Sequence, residues 1–393
     1  MKNTVAAIDF GTSKIVVLMA ENSGTQRCDI IGAGIVPYDG YLAEGWNNPG
    51  ELDEAIQAAI HDAETQGNKK LREISVGVPG AFTQVYATEV AVDLKGTDPR
   101  VTASDVRRCF EKAEESIGEH PGIVVHSSPA WFMVDDGKKT LEPAGQKGRT
   151  LHAMISFVTA NEFFVDDVNT RLQGLGLTVQ GFYSTVAGEA MLYLPEEDRD
   201  RTAVLIDIGY LNTDVVVMEG DALVFHHNID IGGGDIAADL AEGLDIPLKT
   251  AEHLKRSYVY GINTPNDTCD VPSLDGEKAV SFEKEKVAGI IEPRVDEIAE
   301  EIASCIEEAG IRLGNWSNIY LTGGGLSFNR GGRDYLAGKL ERPVRDTPKR
   351  TTSLNSHAFS SALGLMDLII DTLEQKSGSG SGIGNFFKNL LGG

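Results

Sequence analysis

The chain has 393 residues, 41% hydrophobic and 24% charged, a composition ordinary for a globular protein with two or more domains. Its formal net charge of -24 argues against nucleic acid as a partner, which demands a basic surface, and against broad electrostatic adhesion to anionic lipid. Cys28, Cys109, Cys269 and Cys305 lie far apart with no C-x-x-C pair, so reduced thiols are expected rather than a zinc site or disulfide framework.

The first apolar run, Val5-Ala6-Ala7-Ile8, is too short for a signal peptide and runs into Asp9-Phe10-Gly11-Thr12-Ser13-Lys14. Ile15-Val16-Val17-Leu18 follows, so strand, tight polar turn, strand is predicted. A helix is predicted from Glu51 to Glu64, with Leu52, Ala55, Ile56, Ala59 and Ile60 on one face. Ile74 to Val78 reads as a strand ending in the Pro79-Gly80 turn. From 83 to 162 the texture becomes that of a small inserted α+β subdomain. It holds strands at Val85–Val90, Ile123–Val125 and Ala153–Val158. Its helix starts at Thr102 or Ser104, both natural N-caps, and carries Val106, Cys109, Phe110 and Ala113.

A helix at Asn161–Leu175 leads to an echo of the start. Ala203-Val204-Leu205-Ile206 runs into Asp207-Ile208-Gly209-Tyr210-Leu211-Asn212-Thr213-Asp214, and Val215-Val216-Val217-Met218 follows. Gly232-Gly233-Gly234 then opens a helix, and a long helix is expected over Phe282–Ala309, with Pro293 marking where it can break. Ile319 to Thr322 reads as a strand running into Gly323-Gly324-Gly325, and a last helix spans Ala358–Leu373. Residues 376–382 form a Ser/Gly linker. Beyond it, Ile383, Phe386, Phe387, Leu390 and Leu391 share one helical face opposite Asn385, Lys388 and Asn389.

These turns suit a nucleotide held by two related halves. Tight turns aim backbone N–H groups at one anion; Gly11 lets the backbone approach, and Thr12, Ser13 and Lys14 add side-chain donors. Asp9 and Asp207 cannot hold phosphate but suit a hydrated Mg²⁺ beside it. Gly232, Gly233 and Gly234 at a helix start promise a further anion cradle. Neither a Walker A loop nor a G-x-G-x-x-G after the first strand is present.

The motifs resemble the actin, Hsp70 and sugar-kinase superfamily, and over most of its length the chain resembles the FtsA family. The stretches that carry the resemblance are Gly40–Ala58, Leu141–Gly148, Asp230–Leu240 with Ala251–Lys255, and Ile290–Arg294. The resemblance implies an α/β fold, a duplicated actin-like core of two lobes around a nucleotide cleft, binding ATP and Mg²⁺. It implies a first lobe at 1–82 and 163–197, an inserted subdomain at 83–162, and a second lobe at 198–233 and 306–375. A small subdomain at 234–305 would take the FtsZ tail, with Arg294 and Lys286 as basic anchors. Gly209, Asn212 and Thr213 would face the phosphates, Glu252 and Lys255 the ribose and base, and Gly323, Gly324 and Gly325 the adenosine. The terminal helix at 383–393 would enter the membrane, so the chain would be a polymerising scaffold on the cytoplasmic face at the division septum, alongside other divisome proteins.

Tyr210 and Leu211 depart from the family's glycine-rich second loop, and the only side chain on the linking helix that suggests a catalytic role is Glu189, which is expected to be solvated. Slow hydrolysis or none is therefore expected. Two other readings stand: an actin-fold adaptor of the PilM kind, and a soluble actin-fold kinase, which would need a second-substrate aspartate that the sequence does not display.

Overall fold

The computed structural model describes residues 3–22, 28–42, 45–262, 267–272, 279–310, 313–314, 317–348 and 357–377. The five apolar residues expected on the membrane-facing helix, Ile383, Phe386, Phe387, Leu390 and Leu391, lie outside the described residues. Among the described residues no helix is long and apolar enough to cross a membrane. The chain divides into two compact units, one of residues 1–203, 216–226 and 361–393, the other of 204–215 and 227–360.

The first unit begins with β1 (Asn3–Phe10), β2 (Lys14–Asn22) and β3 (Cys28–Pro37), an antiparallel meander. A short pair, β4 (Tyr41–Leu42) and β5 (Gly45–Trp46), precedes α1 (Pro49–Gly67) and β6 (Glu73–Val78). Helix α1 buries Leu52, Ala55, Ile56, Ala59, Ile60 and Ala63, the face its three-and-four spacing predicts. It can lie close on β3 because Gly34 has no side chain: a Cβ there would sit 1.8 Å from the Ala59 carbonyl oxygen.

The insert is β7 (Thr83–Asp93), α2 (Ala103–Ile117), β8 (Ile123–Val134) and β9 (Thr150–Ala160), a three-stranded sheet in the order β7-β9-β8. Thr102 starts α2 as expected, its N–H and hydroxyl both donating to Asp105 Oδ2, at 2.9 and 2.6 Å. Val106, Cys109, Phe110 and Ala113 face Val90, Phe132, Leu151 and Ile155 in a core of the insert's own. The chain then returns through α3 (Glu162–Gly174), β10 (Thr178–Ser184), α4 (Thr185–Tyr193) and the short α5 (Glu196–Arg199).

The later half holds β11 (Ala203–Ile208), β12 (Thr213–Glu219), β13 (Ala222–Ile229), α6 (Gly233–Leu244) and α7 (Leu248–Ser257). A hairpin of β14 (Thr268–Pro272) and β15 (Ala279–Glu283) feeds α8 (Lys284–Glu308). Then come β16 (Ile319–Thr322), α9 (Gly332–Lys339), β17 (Val344–Asp346) and α10 (Ser360–Ser377). Pro293, where a break could fall, leaves α8 unbroken. Pro293 and Gly289, whose carbonyl loses its partner, are both exposed, so water can satisfy that group. From Ser361 onward, α10 belongs with the first unit.

The two large sheets share one strand order. The first reads β3-β2-β1-β6-β10 and the second β13-β12-β11-β16-β17, so each runs third, second, first, fourth, fifth among its own strands. In both, the first strand pairs in parallel with the fourth and the fourth with the fifth. The echo in the sequence is therefore a duplicated topology, and in each copy the polar hairpin joins the first strand to the second.

Candidate functional site

Both hairpins close in the same way. The Gly11 N–H donates to the Lys14 carbonyl at 2.9 Å, and the Gly209 N–H to the Asn212 carbonyl at 2.8 Å. A Cβ would stand 3.0 Å from the Lys14 oxygen at Gly11 and 2.9 Å from the Asn212 oxygen at Gly209, so glycine is the residue that fits each turn. Each hairpin is also backed by the loop that follows the third strand of its own sheet. In the first unit the Tyr38 N–H donates to the Ser13 carbonyl at 3.2 Å. Gly40 adopts φ +77 there, with its Cβ position only 2.4 Å from the Thr12 oxygen. In the second unit the Gly233 and Gly234 N–H groups donate to the Gly209 and Tyr210 carbonyls, at 2.9 and 2.6 Å.

That second backing overturns the expected cradle at Gly232, Gly233 and Gly234. The Gly232 N–H donates to Asp235 Oδ2 at 2.8 Å, and the next two N–H groups are taken by the hairpin. The glycines open no anion nest; they let α6 start directly against the turn. Thr213 is corrected in the same sense, since it is fully buried and its hydroxyl donates to the Ile231 carbonyl at 2.8 Å. Asn212 is buried too, which leaves Gly209, Tyr210 and Leu211 as the half-buried part of this turn.

The third glycine turn joins the same place. Gly323 adopts φ +88, and a Cβ there would lie 2.0 Å from Asp207 Oδ1. The Gly325 N–H donates to the Ile208 carbonyl at 2.7 Å, and the Cβ position of Gly233 is 2.5 Å from Gly325 Cα. The structure thus brings Asp207, Gly209, Gly232 to Gly234 and Gly323 to Gly325 into one junction within the second unit.

Lys255 seals that junction. Only 1% exposed, it donates from Nζ to the Gly233 carbonyl at 2.7 Å and pairs with Glu252 Oε2 at 2.7 Å. Burial holds its ammonium below the usual lysine range, with Glu252 pulling the other way. An exposed pair on a helix would be worth a few tenths of a kcal/mol, roughly, but this lysine is in the core. The sequence did not reveal what fixes it. Asn329, buried, donates from Nδ2 to the Lys255 and Tyr258 carbonyls at 2.6 and 3.0 Å, capping the end of α7 from the loop after the glycines. The only signal was an asparagine in a turn-rich stretch, and its partners lie over 70 residues away.

In the first unit Asp9 is 6% exposed, and burial pushes its carboxyl up to about 6. The Ser361 hydroxyl donates to its Oδ1 at 3.1 Å, and Lys14 pulls in the same downward direction. Burial makes this carboxylate costly to ionise, and a cation beside it would favour the charged form. Glu189, expected to be solvated, is 2% exposed on α4. Its helix meets α10 so closely that a Cβ on Gly364 would lie 2.4 Å from the Glu189 nitrogen.

The basic pair fares unequally. Arg294 is closed bidentately by Asp239, at 2.7 and 3.0 Å, and by Glu297 at 2.6 Å, so its charge is already matched. Lys286 is exposed.

Comparison with known proteins bears on the whole chain. The family model for cell division protein FtsA matches residues 204–364, and the model for the SHS2 domain inserted in FtsA matches 80–159. The cell division protein FtsA of Neisseria meningitidis serogroup B is 25% identical over 370 residues, covering 92% of this chain and 89% of that one. FtsA of Bacillus subtilis is 25% identical over 308 residues, covering 78% and 70%, and FtsA of Escherichia coli K12 is 23% identical over 384 residues, covering 93% and 90%. Among solved structures, the PilM-PilN type IV pilus biogenesis complex is similar at a TM-score of 0.61 and 20% identity, covering 93% of this chain and 97% of that one. MreB5 of Spiroplasma citri bound to ADP is similar at 0.52 and 12%, covering 96% and 99%. At these identities the structures speak for the fold, a duplicated actin-like α/β core with an inserted SHS2 domain.

Proposed function

The chain belongs to the FtsA family of cell-division proteins, and from that premise we propose that it is an ATP-binding, polymerising scaffold that tethers FtsZ to the cytoplasmic membrane at the division septum. The observation that carries the nucleotide part is the repeated hairpin: two turns closed by the same glycine bond, each at the end of the first strand of its own sheet. The half-buried Gly11, Ser13 and Lys14, with the buried Thr12 between them in the turn, supply one set of phosphate donors and the half-buried turn Gly209 to Leu211 the other. The nucleoside end falls to the turn at Gly324, the half-buried member of Gly323 to Gly325, while Lys255, buried and paired with Glu252, holds that glycine junction in place. Mg²⁺, held through water by Asp9 and Asp207, would offset phosphate charge. That MreB5 was solved with ADP agrees with this reading of the fold.

Turnover is proposed to be slow. Tyr210 and Leu211 put side chains where close backbone approach to phosphate favours glycine. The acidic FtsZ tail would dock on residues 234–305 against Lys286, with Arg294 joining if its pair with Asp239 opens. At the membrane, Ile383, Phe386, Phe387, Leu390 and Leu391 would insert as an amphipathic helix. A single basic residue, Lys388, gives lipid charge little hold, so one tail binds weakly and a filament binds by avidity.

Liposome flotation with and without Mg·ATP, on the full chain and on a chain truncated after Ser377, tests this reading. Flotation of the full chain alone, strengthened by ATP, is expected. If neither floats, the tether fails.

A further inference from the structure

Asp9 stands where the first strand enters its hairpin, and it is only 6% exposed. Burial fixes where the carboxyl lies but not how its plane is turned, because the last torsion of an aspartate is broad and roughly two-fold. The direction comes from the far end of the chain. Ser361, 352 residues away in sequence, donates from its hydroxyl to Asp9 Oδ1 at 3.1 Å.

The helix that carries this hydroxyl is held hard. One turn on from Ser361, a Cβ on Gly364 would lie 2.4 Å from the Glu189 nitrogen, and one on Gly188 would lie 2.5 Å from the Gly364 oxygen. Helices α4 and α10 thus meet backbone to backbone. Leu365, fully buried, reaches β6, with its Cδ2 2.7 Å from the Cβ position of Gly77. Ser361 therefore springs from an element with no room to shift, and all of these contacts lie within the first unit. The matching acid of the second copy is met differently, by the backbone of Gly323, whose Cβ position is 2.0 Å from Asp207 Oδ1.

We propose that Ser361 is a positioning residue: by engaging Oδ1 it sets the plane of the Asp9 carboxylate and so aims the acid at the water shell of Mg²⁺. This rests on the reading of Asp9 as a holder of hydrated Mg²⁺ and adds the residue that orients it. Magnesium demands near-ideal octahedral geometry and keeps several waters, so an acid that meets it through water must be aimed as well as present. Ser361 acts at one remove, through the hydroxyl that a rigid helix supplies.

Calorimetric binding of ATP to the full chain, with Mg²⁺ and with EDTA, tests the proposal on wild type, Ser361→Ala and Ser361→Thr. Wild type should bind ATP more tightly with Mg²⁺. Ser361→Ala should lose about tenfold of that gain and stay within about twofold of wild type in EDTA. Ser361→Thr keeps the hydroxyl and should hold the gain to within about threefold. In an Asp9→Asn background, Ser361→Ala should change the gain no further. A hydroxyl that only supports the fold would weaken binding equally with and without the metal. That result, or an undiminished gain in Ser361→Ala, overturns the proposal. Should the alanine variant not fold, Ser361→Cys, a weak donor of similar size, must show the same loss of gain. A wild type whose ATP affinity ignores Mg²⁺ overturns the metal reading of Asp9 and this proposal with it. A wild type that binds no ATP overturns the nucleotide reading on which both stand.

Discussion

The two hairpins share a backbone and differ in what surrounds it. The first is backed by Tyr38 and Gly40, keeps Thr12, Ser13 and Lys14 in its turn, and has a buried acid, Asp9, at its base. The second is locked from behind by α6 and from the side by Gly323 and Gly325, and carries Tyr210 and Leu211 in its turn. The closing bond is common to both turns, and their surroundings differ. The first turn carries Thr12, Ser13 and Lys14 beside a carboxyl that burial pushes towards its protonated form; the second is packed against α6 and the glycine turn.

The largest way to break this contrast is at the glycine turn. Gly323→Ala must place a Cβ 2.0 Å from Asp207 Oδ1 at φ +88. A loss of about 2–5 kcal/mol of stability is expected from the left-handed backbone and the overlap together, checked by urea unfolding.

Next is Asp9. Its carboxyl is raised, so the folded state prefers it protonated: its contribution is fully present below 3.8 and is lost as pH rises through about 6. Asp9→Asn stays neutral and keeps an oxygen for Ser361. It should be more stable than wild type above about pH 6, by at most about 3 kcal/mol without Mg²⁺, and the gap should close towards pH 4. Thermal unfolding across pH checks it, and a gap that ignores pH would count against the buried-acid account.

Lys255→Met comes third. It removes the donor to the Gly233 carbonyl and the partner of Glu252, and should cost about 1–3 kcal/mol, read by chemical unfolding. The smallest effect sharpens the contrast instead of breaking it. Tyr210→Gly makes the second turn more like a phosphate loop and should raise ATP affinity severalfold in titration calorimetry.

The hairpins were legible because short apolar runs on both sides of a polar glycine turn leave little else for the chain to do. The α1 face and the Thr102 cap were legible for the same local reasons. The role of Gly232 to Gly234 was not: a glycine run before a helix looks alike whether its N–H groups await an anion or are taken by carbonyls of Gly209 and Tyr210, two dozen residues earlier. Glu189 misled because sequence gives helix membership, and burial here comes from a crossing with Gly364. Pro293 marked a place where the helix could break, and an exposed helix face absorbed it.

Calorimetric titration of Mg·ATP into the full chain, beside Gly11→Val and Gly209→Val, tests the proposal that each hairpin contributes to nucleotide binding. The account expects the wild type to bind and each valine variant to bind at least about tenfold more weakly, since each Cβ crowds its turn's closing carbonyl. A wild type that binds no ATP, or either variant binding as well as the wild type, would contradict it.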